Sequence, residues 1–181
     1  MLSKYYVSPT LLNAWLNGYD SFLPMLKREE IETTDAMTKG LDFEKDIIDG
    51  KYPELNFLNG CLYQTMHYKK INDYIGVFGY SDFIKYDTIY DAKCTSSYEL
   101  GKYKKSCQHL VYTYCMDMEK FEYIINNNGN IYFEGYLRND QKLFNIIRQF
   151  VSYLELTDLK KYFELNYNID RKRKEIEENA Y

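Results

Sequence analysis

Histidine, proline and cysteine are scarce in this chain. Its 181 residues include two His, three Pro, four Cys and one Trp. His67 and His109 stand far apart with no metal-ligand spacing, so a His-based metal centre or a His-assisted serine or cysteine nucleophile has little support. Cys61, Cys94, Cys107 and Cys115 form no Cys-x-x-Cys pair and, with no export signal, read as reduced, packed thiols. There is no Gly-x-x-x-x-Gly-Lys loop to cradle phosphates and no Gly-x-Ser-x-Gly elbow. No apolar run approaches the roughly 20 residues that cross a bilayer. The opening "MLSKYYVSPT" has no apolar secretory core. The expectation is a cytoplasmic protein with no membrane partner.

What is present is an ordinary globular balance of 45% hydrophobic and 28% charged residues, with a formal net charge of −4. That charge argues against a protein that only coats nucleic acid. It leaves room for an enzyme of nucleic acid, which needs a local basic face rather than a basic total. The length suits one domain over 1–181. N-terminal helices are expected over 8–50, a core sheet with one helix over 61–137, and C-terminal helices over 139–178. Ser8 and Pro9 cap a helix whose Leu11, Leu12, Trp15 and Leu16 share a face. "DAMTKGLDFEKDIIDG" reads as a second helix, with Phe43, Ile47 and Ile48 inward.

Then the period changes. "CLYQTMHYKK", "IGVFGYSDFIKY" and "TIYDAKC" read as strands. "YELGKYKKSCQHLVYTYCMDM" returns to helical spacing, with Cys107, Leu110, Val111, Tyr114 and Met118 as its stripe. Two aromatic-rich strands surround Asn128-Gly129 as a hairpin, and "DQKLFNIIRQFVSYLEL" is an amphipathic helix. The order predicts an α/β (α+β) fold, a mixed central sheet flanked by helices.

Asp-x-Lys occurs five times, and only Asp91/Lys93 lies in a strand pattern. Asp49/Lys51, Asp140/Lys142, Asp158/Lys160 and Asp170/Lys172 fall in helical or turn-like segments, where a solvated face explains them. In a strand, side chains alternate. Ile89, Asp91 and Lys93 then share one face, and Tyr90, Ala92 and Cys94 the other. A half-exposed ion pair is the plain structural alternative, and most such pairs are structural. Asp82, flanked by Phe83 and Ile84 in the preceding strand, changes the weighing. A hairpin through "KYDT" brings it toward Asp91, and two close carboxylates repel unless a cation lies between them. Oxygen ligands suit Mg²⁺ or Mn²⁺. Glu44, beside inward-facing Phe43, is a third acid that its helix could aim at the sheet. Gln108 and Tyr112 share a helix face four residues apart, which Lys104 extends by a turn. Gln64/Tyr68 and Gln149/Tyr153 repeat this spacing, so its value lies in following the Asp-x-Lys strand directly.

In that order these segments resemble the PD-(D/E)XK nuclease superfamily, in particular the RecB nuclease domain and phage exonucleases. "VSPTLLNAWLNGYDSF" is similar to its opening helix, "GLDFE" to its Gly-x-x-x-Glu helix, "GYSDFI" to its Gly-x-x-Asp strand, "IYDAKC" to its Asp-x-Lys strand and "QHLVY" to its Gln-x-x-x-Tyr helix. The resemblance implies a restriction-endonuclease-like core and a metal-dependent deoxyribonuclease, expected to be an exonuclease, of replication, recombination or repair, with a phage among its expected sources. It implies that Glu44, Asp82, Asp91 and the Ala92 carbonyl bind Mg²⁺ or Mn²⁺, and that Lys93 positions or activates the attacking water. Gln108 and Tyr112 would support the site and contact DNA. Lys102, Lys104 and Lys105, with Lys69 and Lys70 as further candidates, would face the DNA. The family's iron–sulfur members carry three late cysteines. None follows Cys115, so no iron–sulfur cluster is expected. A structure- or site-specific endonuclease and a non-catalytic nucleic-acid-binding or interaction module on the same fold are the alternatives. A homo-oligomer and a recombination or replication partner protein are both left open.

Overall fold

Ser8 opens the first helix as expected: its Oγ accepts the Leu11 amide at 3.2 Å, and Pro9 occupies the first helical position. The structure, a computed structural model, describes residues 2–30 and 32–179. Helix α1 (Pro9–Asn17) stops at Gly18, whose φ of +114° breaks the run, and α2 (Tyr19–Lys27) starts anew. The expected single helix is therefore two, and Leu16 is exposed rather than inward. Thr34 caps α3 (Asp35–Ile48), which buries Phe43 and Ile47 but leaves Ile48 exposed, one step around the helix.

Among the described residues the sheet has six strands: β1 (Tyr5–Val7), β2 (Leu62–Lys70), β3 (Ile75–Lys85), β4 (Thr88–Thr95), β5 (Lys120–Asn127) and β6 (Asn130–Leu137). β1 was not foreseen from the sequence. Three residues are too short to show a period, although all three are buried β-formers. The two hairpins turn where expected. Tyr86-Asp87 joins β3 to β4, and Asn128-Gly129, with φ of +52° and +90°, joins β5 to β6. β4 pairs parallel with β5 through α4 (Gln108–Met116).

The pairing of β3 shapes the molecule. β2 lies along one edge of β3, from Lys70↔Gly76 to Leu62↔Ile84. The other edge is shared between β1 at Ile75–Val77 and β4 at Phe83–Lys85. Between them, Phe78–Asp82 has no strand partner on that edge among the described residues.

Each sheet face has its own core. One unites Val7, Leu11, Leu12, Val77, Ile89, Val111, Phe121, Tyr123 and Ile125 with α5 (Asp140–Leu156) and α6 (Lys160–Asn166). The other joins Phe43 and Ile47 of α3 to Phe83, Ala92 and Ile124. Strand alternation thus places Ile89 and Ala92 on opposite faces, as expected. α7 (Ile169–Asn179) follows α6, so the tail is helical but broken at Tyr167-Asn168. Among the described residues no helix is long and apolar enough to cross a membrane.

One expected helix is much shorter than its spacing suggests. Residues 98–106 contain no helix, with turns over 100–105, and α4 starts only at Gln108. Gly101 adopts φ +87°, and the amides of Gly101 and Tyr103 donate to Glu134 of β6 instead of to a preceding turn. Lys104 therefore does not extend the Gln108/Tyr112 face. Met118 lies beyond the helix end but still packs on the core.

Candidate active site

The unpaired stretch of β3 is where the charged residues gather. The ladder with β4 ends at Phe83↔Tyr90, so Asp82 and Asp91 are the next opposed pair, on one face. There the strands part, and the Ala92 amide donates to Asp82 Oδ2 at 2.8 Å. Asp91 is 1% exposed. Its Oδ1 accepts from Gln108 Nε2 at 2.7 Å, and its Oδ2 faces the Lys93 ammonium in an ion pair. The start of α4 is thus tied directly to the Asp-x-Lys strand. The Lys93 ammonium also lies 5.6 Å from the centre of the Tyr123 ring.

Burial raises the pKa of Asp82, and repulsion from Asp91 and Glu44 adds to this, carrying it to about 8. Glu44 is raised by burial too, against the pull of the Gln64 amide. Burial works against the charge on Lys93, but Asp91 and Asp82 outweigh it and hold its pKa above the ordinary lysine value. Lys93 therefore stays an ammonium: a donor and counter-charge, not a proton acceptor. Burial pushes the Tyr112 phenol up as well, so it stays neutral.

Glu44 reaches the site from α3, on the opposite layer. Its Oε2 accepts from Gln64 Nε2 at 3.2 Å. Gln64 falls opposite Asp82 in the β2–β3 register and has φ +42°, a left-handed conformation costing about 1–3 kcal/mol in a non-glycine residue. This strained contact was missed in the sequence, where Gln64 figured only as a chance repeat of the Gln/Tyr spacing. Among the described residues, no three His, Cys, Asp or Glu side chains form a ready-made metal cluster.

Tyr112 packs where β3 has no strand neighbour, and Gly79 makes this possible. A Cβ at Gly79 would stand 2.6 Å from Tyr112 Cε1 and 3.3 Å from Pro9 Cδ. The Tyr112 ring is buried and has little freedom to yield. Gly79→Ala is expected to lower stability by about 1–3 kcal/mol, read as a lower denaturant midpoint. An unchanged midpoint would show that the ring moves aside freely. Beside Gly79 opens a cleft of about 500 Å³, bordered by Ser8, Thr10, Tyr80 and Tyr112, with Arg28 and Lys172 also in its lining.

The structure gathers Glu44, Asp82, Asp91, Ala92, Lys93, Gln108 and Tyr112 in one region. The proposed basic residues are more scattered. Lys104 and Lys105 are exposed on the 100–105 turns. Lys102 is folded back, with Nζ donating to Thr95 Oγ1 at 2.6 Å and to the Ser97 carbonyl. Lys69 and Lys70 pair with Asp117 and Asp73, opposite Val77 and Gly76. That places them about 17–20 Å along the strand from Asp82.

No protein-family model matches the sequence, and neither does any curated protein. Solved structures do match in fold. The alkaline exonuclease LHK-Exo from Laribacter hongkongensis is 13% identical, with a TM-score of 0.62 over 94% of each chain. Its complex with dAMP matches with a TM-score of 0.61 at 12% identity over 94% of each chain. A phage-related exonuclease from Haemophilus somnus 129PT is 15% identical, with a TM-score of 0.55 over 90% of this chain and 95% of that one. The chain shares the mixed-sheet fold of these exonucleases.

Proposed function

We propose that this chain is a divalent-metal-dependent deoxyribonuclease, and specifically an exonuclease. The observation that carries the reading is the opposition of Asp82 and Asp91 at the opening of the sheet, with Lys93 on the same face. The likeness to structures named as exonucleases supports it at the level of fold, and the LHK-Exo complex with dAMP supports a nucleotide ligand for this fold.

The donor set fits a hard cation. Three carboxylates face one ammonium, and burial first, then repulsion from Asp91 and Glu44, raises the pKa of Asp82. Mg²⁺ and Mn²⁺ take a few oxygen ligands and fill the rest of their shell with water and phosphate, so no all-protein cage is required. Asp82, Asp91 and the Ala92 carbonyl would hold the ion, with Glu44 assisting. Such an ion polarises a phosphate and makes bound water more acidic.

The chain's own residues orient and neutralise. Lys93 donates to the attacking water or the phosphate and offsets charge as it builds. Gln108 holds the Asp91 carboxylate in place. Tyr112 walls the cleft beside Gly79, where Arg28 and Lys172 would favour a DNA strand. Lys104 and Lys105 are free to meet the backbone nearby. A role in replication or recombination, in a bacterium or a phage, belongs to the same reading.

End-labelled linear DNA and closed circular DNA, each with and without Mg²⁺ or Mn²⁺, provide the test. Linear DNA should be degraded only with metal, and circular DNA should survive. Cleavage of the circle would favour an endonuclease. Metal-independent cleavage, or none with any divalent ion, would overturn the reading.

A further inference from the structure

We propose that Glu134 is a positioning residue: it anchors the 96–106 segment so that Tyr103 is held over Tyr123, beside Lys93. The proposal rests on the nuclease reading for its kinetic consequence but not for its structural one.

Glu134 lies on the edge strand β6, with Phe133 and Gly135 exposed on either side, yet it is 5% exposed. It accepts from the Tyr98 hydroxyl at 2.8 Å, the Gly101 amide at 3.1 Å, the Tyr103 amide at 3.3 Å and the Tyr136 hydroxyl. Burial alone would raise its pKa. The two phenols and two amides outweigh that and hold it below the ordinary glutamate value, so it stays ionised. Among the described residues no Lys or Arg pairs with it. A buried carboxylate satisfied wholly by phenols and backbone amides is a strong local constraint.

The sheet register shows what is being constrained. Glu134 stands opposite Tyr123, and Tyr123 opposite Asp91, so the three form one row across β6, β5 and β4 on the same face. The Tyr103 ring lies 4.8 Å from that of Tyr123, and Lys93 approaches the same Tyr123 ring. Three of the four donors to Glu134 come from within or beside this neighbourhood, between the Asp-x-Lys strand and α4. Other ties fall elsewhere on the segment: Asn128 Nδ2 to the Ser96 carbonyl at 3.1 Å, the Tyr98 ring against Tyr132, Lys142 Nζ to the Lys104 carbonyl at 3.4 Å, Asn13 Nδ2 to Ser106 Oγ at 3.3 Å, and the fold-back of Lys102. Without Glu134, the amides of Gly101 and Tyr103 lose their acceptor, and Tyr103 loses its hold beside Lys93.

Glu134→Ala is expected to speed amide hydrogen exchange at Gly101 and Tyr103 by roughly tenfold or more. It should also hasten tryptic cleavage after Lys102, Lys104 or Lys105. Its kcat on DNA should fall roughly 10–100-fold, with KM changed by no more than about twofold. Tyr103→Ala should show the same kinetic loss, Tyr103→Phe should restore most of it, and the double Ala variant should be no worse than the poorer single one. Freed amides with wild-type kcat would overturn the proposal. Unchanged exchange would overturn it too, as would losses that multiply in the double variant. The exchange measurement needs no turnover. If the wild-type protein cleaves no DNA, the nuclease reading falls, and exchange alone decides whether Glu134 anchors the segment.

Discussion

Asp91→Asn is expected to reduce metal-dependent DNA hydrolysis by roughly 10³-fold or more, the equivalent of about 4 kcal/mol of transition-state stabilisation. The change is nearly isosteric. The side-chain oxygen can still accept from Gln108, whose Nε2 lies 2.7 Å from Asp91 Oδ1 in the native site. What is lost is the negative charge that faces Lys93 and, on the proposed reading, one metal ligand. Lys93 then loses its main counter-ion and keeps the weaker pull of Asp82, so some stability is lost as well, and the loss of activity must exceed what the melting curve accounts for. Lys93→Ala is less clean. It strands a buried carboxylate without its counter-ion, which costs about 3–5 kcal/mol when a buried pair is broken from one side. Lys93→Arg keeps the charge but replaces a compact ammonium by a planar fork. Its expected loss, roughly 100-fold or more, would show that position as well as charge is required. Initial rates on linear DNA in saturating Mg²⁺, with melting curves beside them, provide the check. Activity of Asp91→Asn within tenfold of wild type would sink the assignment.

Much of this site was legible because strand alternation is rigid. Once "TIYDAKC" is a strand, Asp91 and Lys93 must share a face, and a two-residue turn at Tyr86-Asp87 must set Asp82 opposite Asp91. The fold class followed from the order of elements for the same reason. What remained hidden depends on contacts between distant segments. Glu134 and Gly101 are 33 residues apart, and nothing local announces that one captures the amide of the other. The helical spacing of 98–106 was real but overruled, since a buried carboxylate offered those amides a better partner. Gln64 was similarly invisible: its meaning comes from the β2–β3 register and from a left-handed φ, neither of which is written in residue type. β1 escaped because it is only three residues long.

These distant contacts also give the site its order. Gln64, Asp82, Asp91, Tyr123 and Glu134 occupy successive positions across β2, β3, β4, β5 and β6. The row runs from a strained amide through two opposed carboxylates to an aromatic floor and an anchoring glutamate. At its centre two acids stand side by side, one paired with Lys93 and the other holding its proton to about pH 8. The surrounding sheet and two cores keep them there.

Asp82→Asn should therefore make the metal-free protein more stable, not less, at alkaline pH. The Asp82 carboxyl titrates near 3.8 when unfolded and at about 8 in the native protein. Between those values the unfolded chain releases a proton that the native state retains, so stability falls as pH rises from about 4 to about 8. Each tenfold change in proton affinity is worth about 1.4 kcal/mol, so the full penalty at pH 9 has an upper limit on the order of 5 kcal/mol. Asn carries no charge, and its oxygen can still accept the Ala92 amide that Asp82 Oδ2 takes at 2.8 Å. In chelator, the melting temperature of the variant should exceed that of wild type at pH 9, by several degrees at roughly 2–4 °C per kcal/mol. The two should converge at and below pH 4. Millimolar Mg²⁺ or Mn²⁺ at pH 8 should reverse the ranking, raising the wild-type melting temperature while leaving that of the variant nearly unchanged, because only the native carboxylate gains a cation. A variant no more stable than wild type at pH 9 would show that burial and the neighbouring acids do not raise the Asp82 pKa in the native sheet. Equal metal responses would remove Asp82 from the proposed ligand set.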